Sequence, residues 1–214
     1  MPTNHAYKIK TNYTNLFLRV SKGHFATSHS HINYYIDVTT QKTRLSEAAS
    51  VAKKLVSYYT TNTIVDTILC LDGTQVIGTC MAEELTRGNY VNLNAHQTIY
   101  VITPEHTSGS QIIFRDNIVP MITGKNVLIL AASVTTGYTV QAAAEAVAYY
   151  GGVVAGVSAI FATMDTCAGQ TVRSVFNPND LGDYASYPSH ECPMCKQGQK
   201  IDALVNSFGF SKLL

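Results

Sequence analysis

The sequence predicts an α/β fold built on a mostly parallel twisted sheet flanked by helices. Three observations carry this. Ile64–Leu71, Thr98–Ile102, Val127–Ala131 and Val153–Phe161 are short continuous apolar runs, the pattern of strands buried on both faces. Segments with helical apolar spacing, Arg44–Thr60, Gln75–Thr86 and Val140–Tyr150, alternate with them. Turn formers stand at the junctions, at Asp72-Gly73, Pro104 and Gly151-Gly152. A chain of 214 residues with 46% hydrophobic residues is long enough to bury a real core, and the expectation is one domain over residues 1–214.

Each element has a local reason. Gly23–Asp37 is dense in aromatics, hydroxyls and histidines; it reads as a Tyr-rich strand whose alternate residues pack, or as a surface for a flat ligand. In Arg44–Thr60, Leu45, Ala48, Ala52, Leu55 and Tyr59 recur at three- and four-residue steps, while Glu47, Lys53 and Lys54 face elsewhere. Ile64–Leu71 is β-branched, apolar and short, and Asp72-Gly73 breaks it. Gln75–Thr86 is a helix ending near Gly88. Gln111–Phe114 is one arm of a hairpin with Thr107–Ser110 as its tip, and residues 104–117 are expected to be a flexible hairpin. Val127–Ala131 runs into a small polar loop, Ser133–Thr139, before the next helix. Residues 176–214 form a tail containing Cys192-Pro193-Met194-Cys195.

Composition narrows the function. A formal net charge of +1 gives no field that would draw nucleic acid or an anionic membrane. The longest apolar stretch, Gly151–Ala162, is too short and glycine-rich to span a bilayer, and MPTNHAYKIK has no signal-peptide core. Five cysteines, an odd number, argue against a secreted disulfide scaffold, so a cytoplasmic location is expected.

Two loops invite an anion. A loop held at a helix N-terminus points unpaired N–H groups outward, and the helix dipole adds positive charge. At Ser133–Thr139, Thr135, Thr136 and Thr139 add hydroxyl donors, and Gly137 lets the backbone curl. Asp72-Gly73-Thr74 has the same placement after a strand, or is a plain turn. The C-x-x-C pair is half of a zinc site or a redox pair; zinc at Cys192 and Cys195 needs two further ligands, with Cys167 and His190 nearest in sequence. Three histidines in eight residues, His24, His29 and His31, also suggest metal, but without a matching cluster elsewhere the sequence disfavours that reading. Cys70 and Cys80 sit in apolar settings and read as packing residues.

VLIL followed by TTGYT resembles the signature of type I phosphoribosyltransferases, in which four apolar residues, two acids and two small or apolar residues precede T-T-G-x-T. The resemblance implies a phosphoribosyltransferase fold with a hood-forming segment at 1–40 and a mobile hairpin. It implies a 5′-phosphate site at Ser133, Thr135, Thr136, Gly137, Tyr138 and Thr139, and a pyrophosphate loop at Asp72, Gly73 and Thr74. One departure stands out: Ala131 and Ala132 replace the acids that would accept hydrogen bonds from the ribose hydroxyls. The Gly23–Asp37 segment is similar to the base-covering hood of orotate phosphoribosyltransferases, which implies base contacts from Ser28, Tyr34 and Tyr35. The hairpin would bring Arg115 to the pyrophosphate as a catalytic group, although the lysine-rich motif usual there is missing. The implied partners are phosphoribosyl pyrophosphate, Mg²⁺ and orotate, in a homodimer that makes orotidine monophosphate. Two alternatives stay open: a transferase for another base, and a non-catalytic regulator that binds phosphoribosyl pyrophosphate or a nucleotide.

Overall fold

The computed structural model describes residues 6–10, 16–87, 92–95, 98–108, 111–206 and 208–213. Gly88, Gly109 and Ser110 lie outside the described residues. The chain divides into two compact units, residues 1–40 with 177–214, and residues 41–176.

The first unit begins with β1 (Ala6–Lys10), β2 (Phe17–Ala26) and β3 (His31–Asp37). β2 and β3 form a hairpin closed by the Thr27–Ser30 turn, where the Thr27 N–H donates to the Ser30 carbonyl at 2.8 Å. The register shifts inside it: Lys22 faces Tyr34, but Phe25 faces Ile32. One extra residue in β2 is a bulge, and a bulge swaps which side chains share a face. Here it puts Phe25 and Ile32 on one face, and His24 on the other with Ala26 and its partner His31.

The second unit follows a one-turn helix α1 (Thr39–Thr43), through which the chain leaves the first. It holds α2 (Leu45–Val56), β4 (Thr67–Cys70), α3 (Gln75–Thr86), β5 (Tyr100–Ile102), a short hairpin of β6 (Glu105–His106) and β7 (Ile112–Ile113), β8 (Asn126–Val134), α4 (Tyr138–Tyr149), β9 (Val153–Ala162), β10 (Thr166–Cys167) and β11 (Gln170–Phe176). The main sheet runs β10-β11-β9-β8-β4-β5, parallel throughout except for the β10–β11 hairpin. This is the expected mostly parallel sheet, and its central strands are buried along nearly their whole length. Asp66 fixes the entry end of β8, accepting both the backbone and the side-chain N–H of Asn126 at 2.7 and 2.8 Å.

α2 departs from the expected face. Leu45 is exposed and Glu47 is buried, its carboxylate 3.6 Å from the Arg44 guanidinium. The apolar stripe is Ala48, Val51, Ala52, Leu55 and Val56, carried on by Tyr59 past the helix end. Glu47 stands one turn before Val51 on that same stripe, in the first-turn place that apolar spacing assigns to Leu45.

The chain then returns to the first unit with β12 (Ser186–Tyr187), the single-turn helix α5 (Pro193–Lys196), β13 (Ala203–Asn206) and β14 (Gly209–Lys212). Its sheet runs β12-β3-β2-β13-β14, with β1 on another stretch of β2. One apolar cluster of this unit is Phe25, Ile32, Ala203 and Val205, with Tyr35 and Tyr184 packed against it, and Leu16, Leu18 and Val20 are buried as well. Polar ties supplement it. Asn33 bonds the Asp183 carbonyl at 2.6 Å and the Ala185 N–H at 2.7 Å, and Lys22 pairs with the Asp183 carboxylate.

Candidate functional site

β8 runs farther than the sequence suggested, through Val134, and α4 starts earlier, at Tyr138. The polar loop is thereby reduced to Thr135–Gly137, with Ser133 at the strand end and Tyr138 and Thr139 in the first helical turn. Ser133, Thr135, Thr136, Tyr138 and Thr139 are all exposed. Gly137 is the N-cap with φ +78°, a left-handed conformation that glycine adopts without a steric cost, and it offers the helix no side-chain cap. The first turn of α4 carries no acidic residue, so no carboxylate of that turn opposes the positive end of the dipole.

The turn is braced from behind by residues that sequence reading missed. The Thr163 N–H donates to the Val134 carbonyl and its hydroxyl to the Thr135 carbonyl, both at 2.9 Å. β10 and β11 meet at Ala168-Gly169, both with positive φ, the form of a type I′ hairpin turn. That hairpin sets the Cys167 Sγ 3.5 Å from the Gly137 carbonyl, and a Cβ on Gly137 would stand 2.9 Å from the same sulfur. Ala131 and Ala132 are only 1% and 2% exposed, so two buried methyl groups occupy the end of β8.

The neighbouring strand end is a tighter structure. Asp72 and Gly73 both have positive φ, and the Thr74 N–H donates to the Leu71 carbonyl at 3.1 Å, which together make a type I′ turn. Thr74 is buried, and its hydroxyl donates to the Leu71 and Leu130 carbonyls at 2.8 and 3.1 Å. That hydroxyl is turned inward, stitching the turn to β8. The cation at this turn is Lys42, whose Nζ donates to the Asp72 carbonyl at 2.8 Å. No spacing tied Lys42 to Asp72, thirty positions on; the fold brings them together.

The other expected contacts are placed as follows. Arg115 forms a bidentate pair with the Glu105 carboxylate, Nε 3.1 Å from Oε1 and Nη2 2.7 Å from Oε2. Hydrogen bonding to Arg115 holds the Glu105 carboxyl below its usual range. Ser28 is exposed at the β2–β3 tip. Tyr34 is buried with its hydroxyl bonded to the Asp183 carboxylate, and burial together with that bond pushes its pKa well up. Tyr35 packs between Phe25 and Phe210, with ring centroids 6.0 and 5.2 Å away, and burial, with the Asp37 charge, raises its pKa to about 12. Both rings therefore already have partners within their own unit. A groove of about 520 Å³ lies between β7 and the later turns of α4, lined by Ile112, Ile113, Ala146 and Tyr149 among others, and does not include the turn after β8. Cys70 and Cys80 are buried as expected, and burial pushes the Cys70 thiol up to about 12.

The C-x-x-C pair has neighbours, and they are not those nearest in sequence. His190 is exposed beside Glu191 at 3.3 Å, and Cys167 belongs to the turn after β8. The groups beside Cys192 and Cys195 are His24 and His31, and the four ligand atoms lie within 4.8 Å of one another. The Cys195 Sγ is 3.2 Å from His31 Nδ1 and 3.6 Å from His24 Nε2, and the Cys192 Sγ is 3.5 Å from His24 Nε2.

No family model matches the sequence, and no curated protein is similar to it in sequence. Solved structures are similar in fold. Orotate phosphoribosyltransferase of Mycobacterium tuberculosis in complex with Fe(III) dicitrate superposes with a TM-score of 0.54 at 21% identity, over 78% of this chain and 93% of that one. The same enzyme with 5-phospho-α-D-ribosyl 1-diphosphate gives 0.50 at 21% identity, over 69% and 83%. Leishmania donovani UMP synthase gives 0.56 at 20% identity, over 76% of this chain and 34% of that longer one. The fold is that of the type I phosphoribosyltransferases. No helix among the described residues is long and apolar enough to cross a membrane.

Proposed function

We propose that this chain is a phosphoribosyltransferase, taking the 5′-phosphate of phosphoribosyl pyrophosphate into the turn after β8 and joining the phosphoribosyl group to a nitrogen of a base, with orotate the first candidate. The supporting observation is the conjunction of the Thr135-Thr136-Gly137-Tyr138-Thr139 turn, at a helix start with no side-chain cap, with a fold of that class. Hydroxyls of Ser133, Thr135, Thr136 and Thr139 and the first-turn N–H groups would hold the phosphate. Asp72, Gly73 and Thr74 would receive the pyrophosphate through main chain, with Lys42 fixing that turn. In the reaction the base nitrogen forms a bond to C1 of the ribose as the bond from C1 to the pyrophosphate oxygen breaks. Positive charge builds on the ring, and the electron pair leaves with pyrophosphate.

Magnesium accompanies phosphoribosyl pyrophosphate in this chemistry and takes oxygen ligands. The methyl groups of Ala131 and Ala132 offer no oxygen and do not fit that role at the end of β8. The base contacts from Ser28, Tyr34 and Tyr35, the pyrophosphate contact from Arg115 and the homodimer belong to the same proposal and rest on the resemblance.

Those two buried alanines also favour a second reading, a non-catalytic protein that binds phosphoribosyl pyrophosphate or a nucleotide at the same turn. One experiment separates the two. The protein is mixed with orotate, phosphoribosyl pyrophosphate and Mg²⁺, and orotate absorbance is followed beside a calorimetric titration with phosphoribosyl pyrophosphate. Loss of absorbance supports the transferase. Binding without turnover, with orotate or with a purine base, supports the second reading. Absence of binding overturns both.

A further inference from the structure

We propose that His24, His31, Cys192 and Cys195 bind one zinc ion that joins the two ends of the chain within the first unit. Nothing in this depends on the transferase reading. The residue types are the Cys₂His₂ set of closed structural zinc sites. Zn–N bonds of about 2.0–2.1 Å and Zn–S bonds of about 2.3 Å give a tetrahedron with N···N edges of roughly 3.4 Å and N···S edges of roughly 3.6 Å. The corresponding separations here are 3.0 Å between the two histidine nitrogens and 3.2, 3.5 and 3.6 Å from nitrogen to sulfur.

The chain builds this geometry from two pieces. Cys192 precedes α5 and Cys195 lies within it, so one helical turn brings both sulfurs to the same side. The turn is closed by N–H bonds from Lys196 to the Cys192 carbonyl and from Gly198 to the Cys195 carbonyl, at 3.1 and 2.9 Å. The other piece is the β2–β3 hairpin, whose bulge sets His24 on the face of His31. The pieces are held in reach by mutual bonds of His24 and Asp202, backbone N–H to carboxylate at 2.8 Å and N–H to carbonyl at 2.7 Å.

The surroundings are arranged as for a metal. His24 Nδ1 is 3.0 Å from the Gln199 carbonyl, which can only accept, so that nitrogen carries the proton and Nε2 presents its lone pair to the cluster. Gln199 is itself fixed, its N–H donating to the Met194 carbonyl at 2.9 Å inside the cysteine turn. Three groups then converge on that one lone pair: His31 Nδ1, Cys192 Sγ and Cys195 Sγ. A single lone pair accepts one good hydrogen bond, whereas a cation satisfies all four atoms together. His24 and Cys192 are fully buried and Cys195 is exposed, which leaves a side for the ion to enter.

The test is metal content of the whole chain, purified without chelator and reduced throughout. About one zinc per chain is expected, lost in Cys195→Ser and His31→Ala and kept in Cys80→Ser and Cys167→Ser. Because a variant that loses zinc can also misfold, His31→Cys is included, since it restores a ligand atom and should hold zinc. Replacing zinc by Co²⁺ in the unmutated protein should give the intense visible bands of a tetrahedral site with thiolate-to-cobalt charge transfer, and these should shift in His31→Cys. A chain that carries no metal and takes up neither Zn²⁺ nor Co²⁺ in stoichiometric amount overturns the proposal. So does a Cys192–Cys195 disulfide in a parallel sample lysed into a thiol-alkylating agent without reductant.

Discussion

The turn after β8 and the His/Cys cluster are both small constellations of ordinary residues, but the chain assembles them in opposite ways. The turn is contiguous: Ser133 to Thr139 follow one another, and a strand and a helix on either side fix their geometry. The cluster is discontinuous, with Cys192 and His24 separated by 168 positions. A contiguous site carries its geometry in its own spacing. A discontinuous one depends on strand pairing, here a bulge in β2 and the laying of β13 along β2, before any of its atoms meet.

That contrast predicts which changes do most. The largest effect is expected at Gly137, because the turn pivots on its left-handed backbone and the Cys167 side chain stands directly behind it. Valine there meets a left-handed φ of +78° and a Cβ position 2.9 Å from the Cys167 sulfur. A β-branched residue in that region costs at least about 1–2 kcal/mol before the clash is counted. Gly137→Val should abolish calorimetric binding of ribose 5-phosphate, and Thr136→Val should weaken it at least about tenfold through loss of a hydrogen bond to a charged group. Retained affinity in both would put the phosphate elsewhere.

Next in size is the metal cluster. Binding free energy at a structural zinc is folding free energy. Stripping zinc with a chelator should lower the unfolding free energy of the first unit by several kcal/mol, seen as a lower urea midpoint in tyrosine fluorescence or in exchange of the β2 and β3 amides. An unchanged midpoint would reduce the cluster to a set of hydrogen bonds.

The same contrast explains what was legible. The parallel strands were readable because Leu128, Ile129 and Leu130 are buried together, and a strand covered on both faces leaves an unbroken apolar run. The TTGYT turn was readable because its residues are adjacent. Lys42 at Asp72 and Thr163 behind Thr135 were not, since each joins through space segments that share no spacing. The metal ligands were misassigned to Cys167 and His190 for the same reason: nearness in sequence stood in for nearness in space. The two half-sites were each visible, the histidines of Gly23–Asp37 and the cysteines of the tail, but only strand pairing shows that they are one.

A moderate effect is expected at Ala132, where the segment departs from the phosphoribosyltransferase signature that it resembles. An aspartate there would be buried and short of partners without ligand, at a cost of about 1–3 kcal/mol. With a ribose bound, its carboxylate accepts hydrogen bonds worth about 1.5–3 kcal/mol. Ala132→Asp should therefore lower the melting temperature of the free protein while tightening ribose 5-phosphate binding about tenfold or more. Lower stability with no gain in affinity would mean that other groups already hold the sugar.

The smallest stability effect is expected at Arg115, and there the distinction between catalysis and packing is sharpest. Its guanidinium grips both oxygens of the Glu105 carboxylate, and both side chains are more than half exposed. An exposed ion pair adds little to stability, so Arg115→Ala and Glu105→Gln should both leave the melting temperature unchanged. Yet the fork that clasps a carboxylate also fits a phosphate, and Glu105 holds it in the shape an anionic ligand would need. If Arg115 serves the leaving pyrophosphate, Arg115→Ala lowers kcat with orotate. Glu105→Gln, by removing the competing carboxylate, lowers KM for phosphoribosyl pyrophosphate. Equal turnover in all three proteins would leave Arg115 as a surface partner of Glu105 and move the search for a cation to Lys42, the lysine already fixed at the turn beside β8.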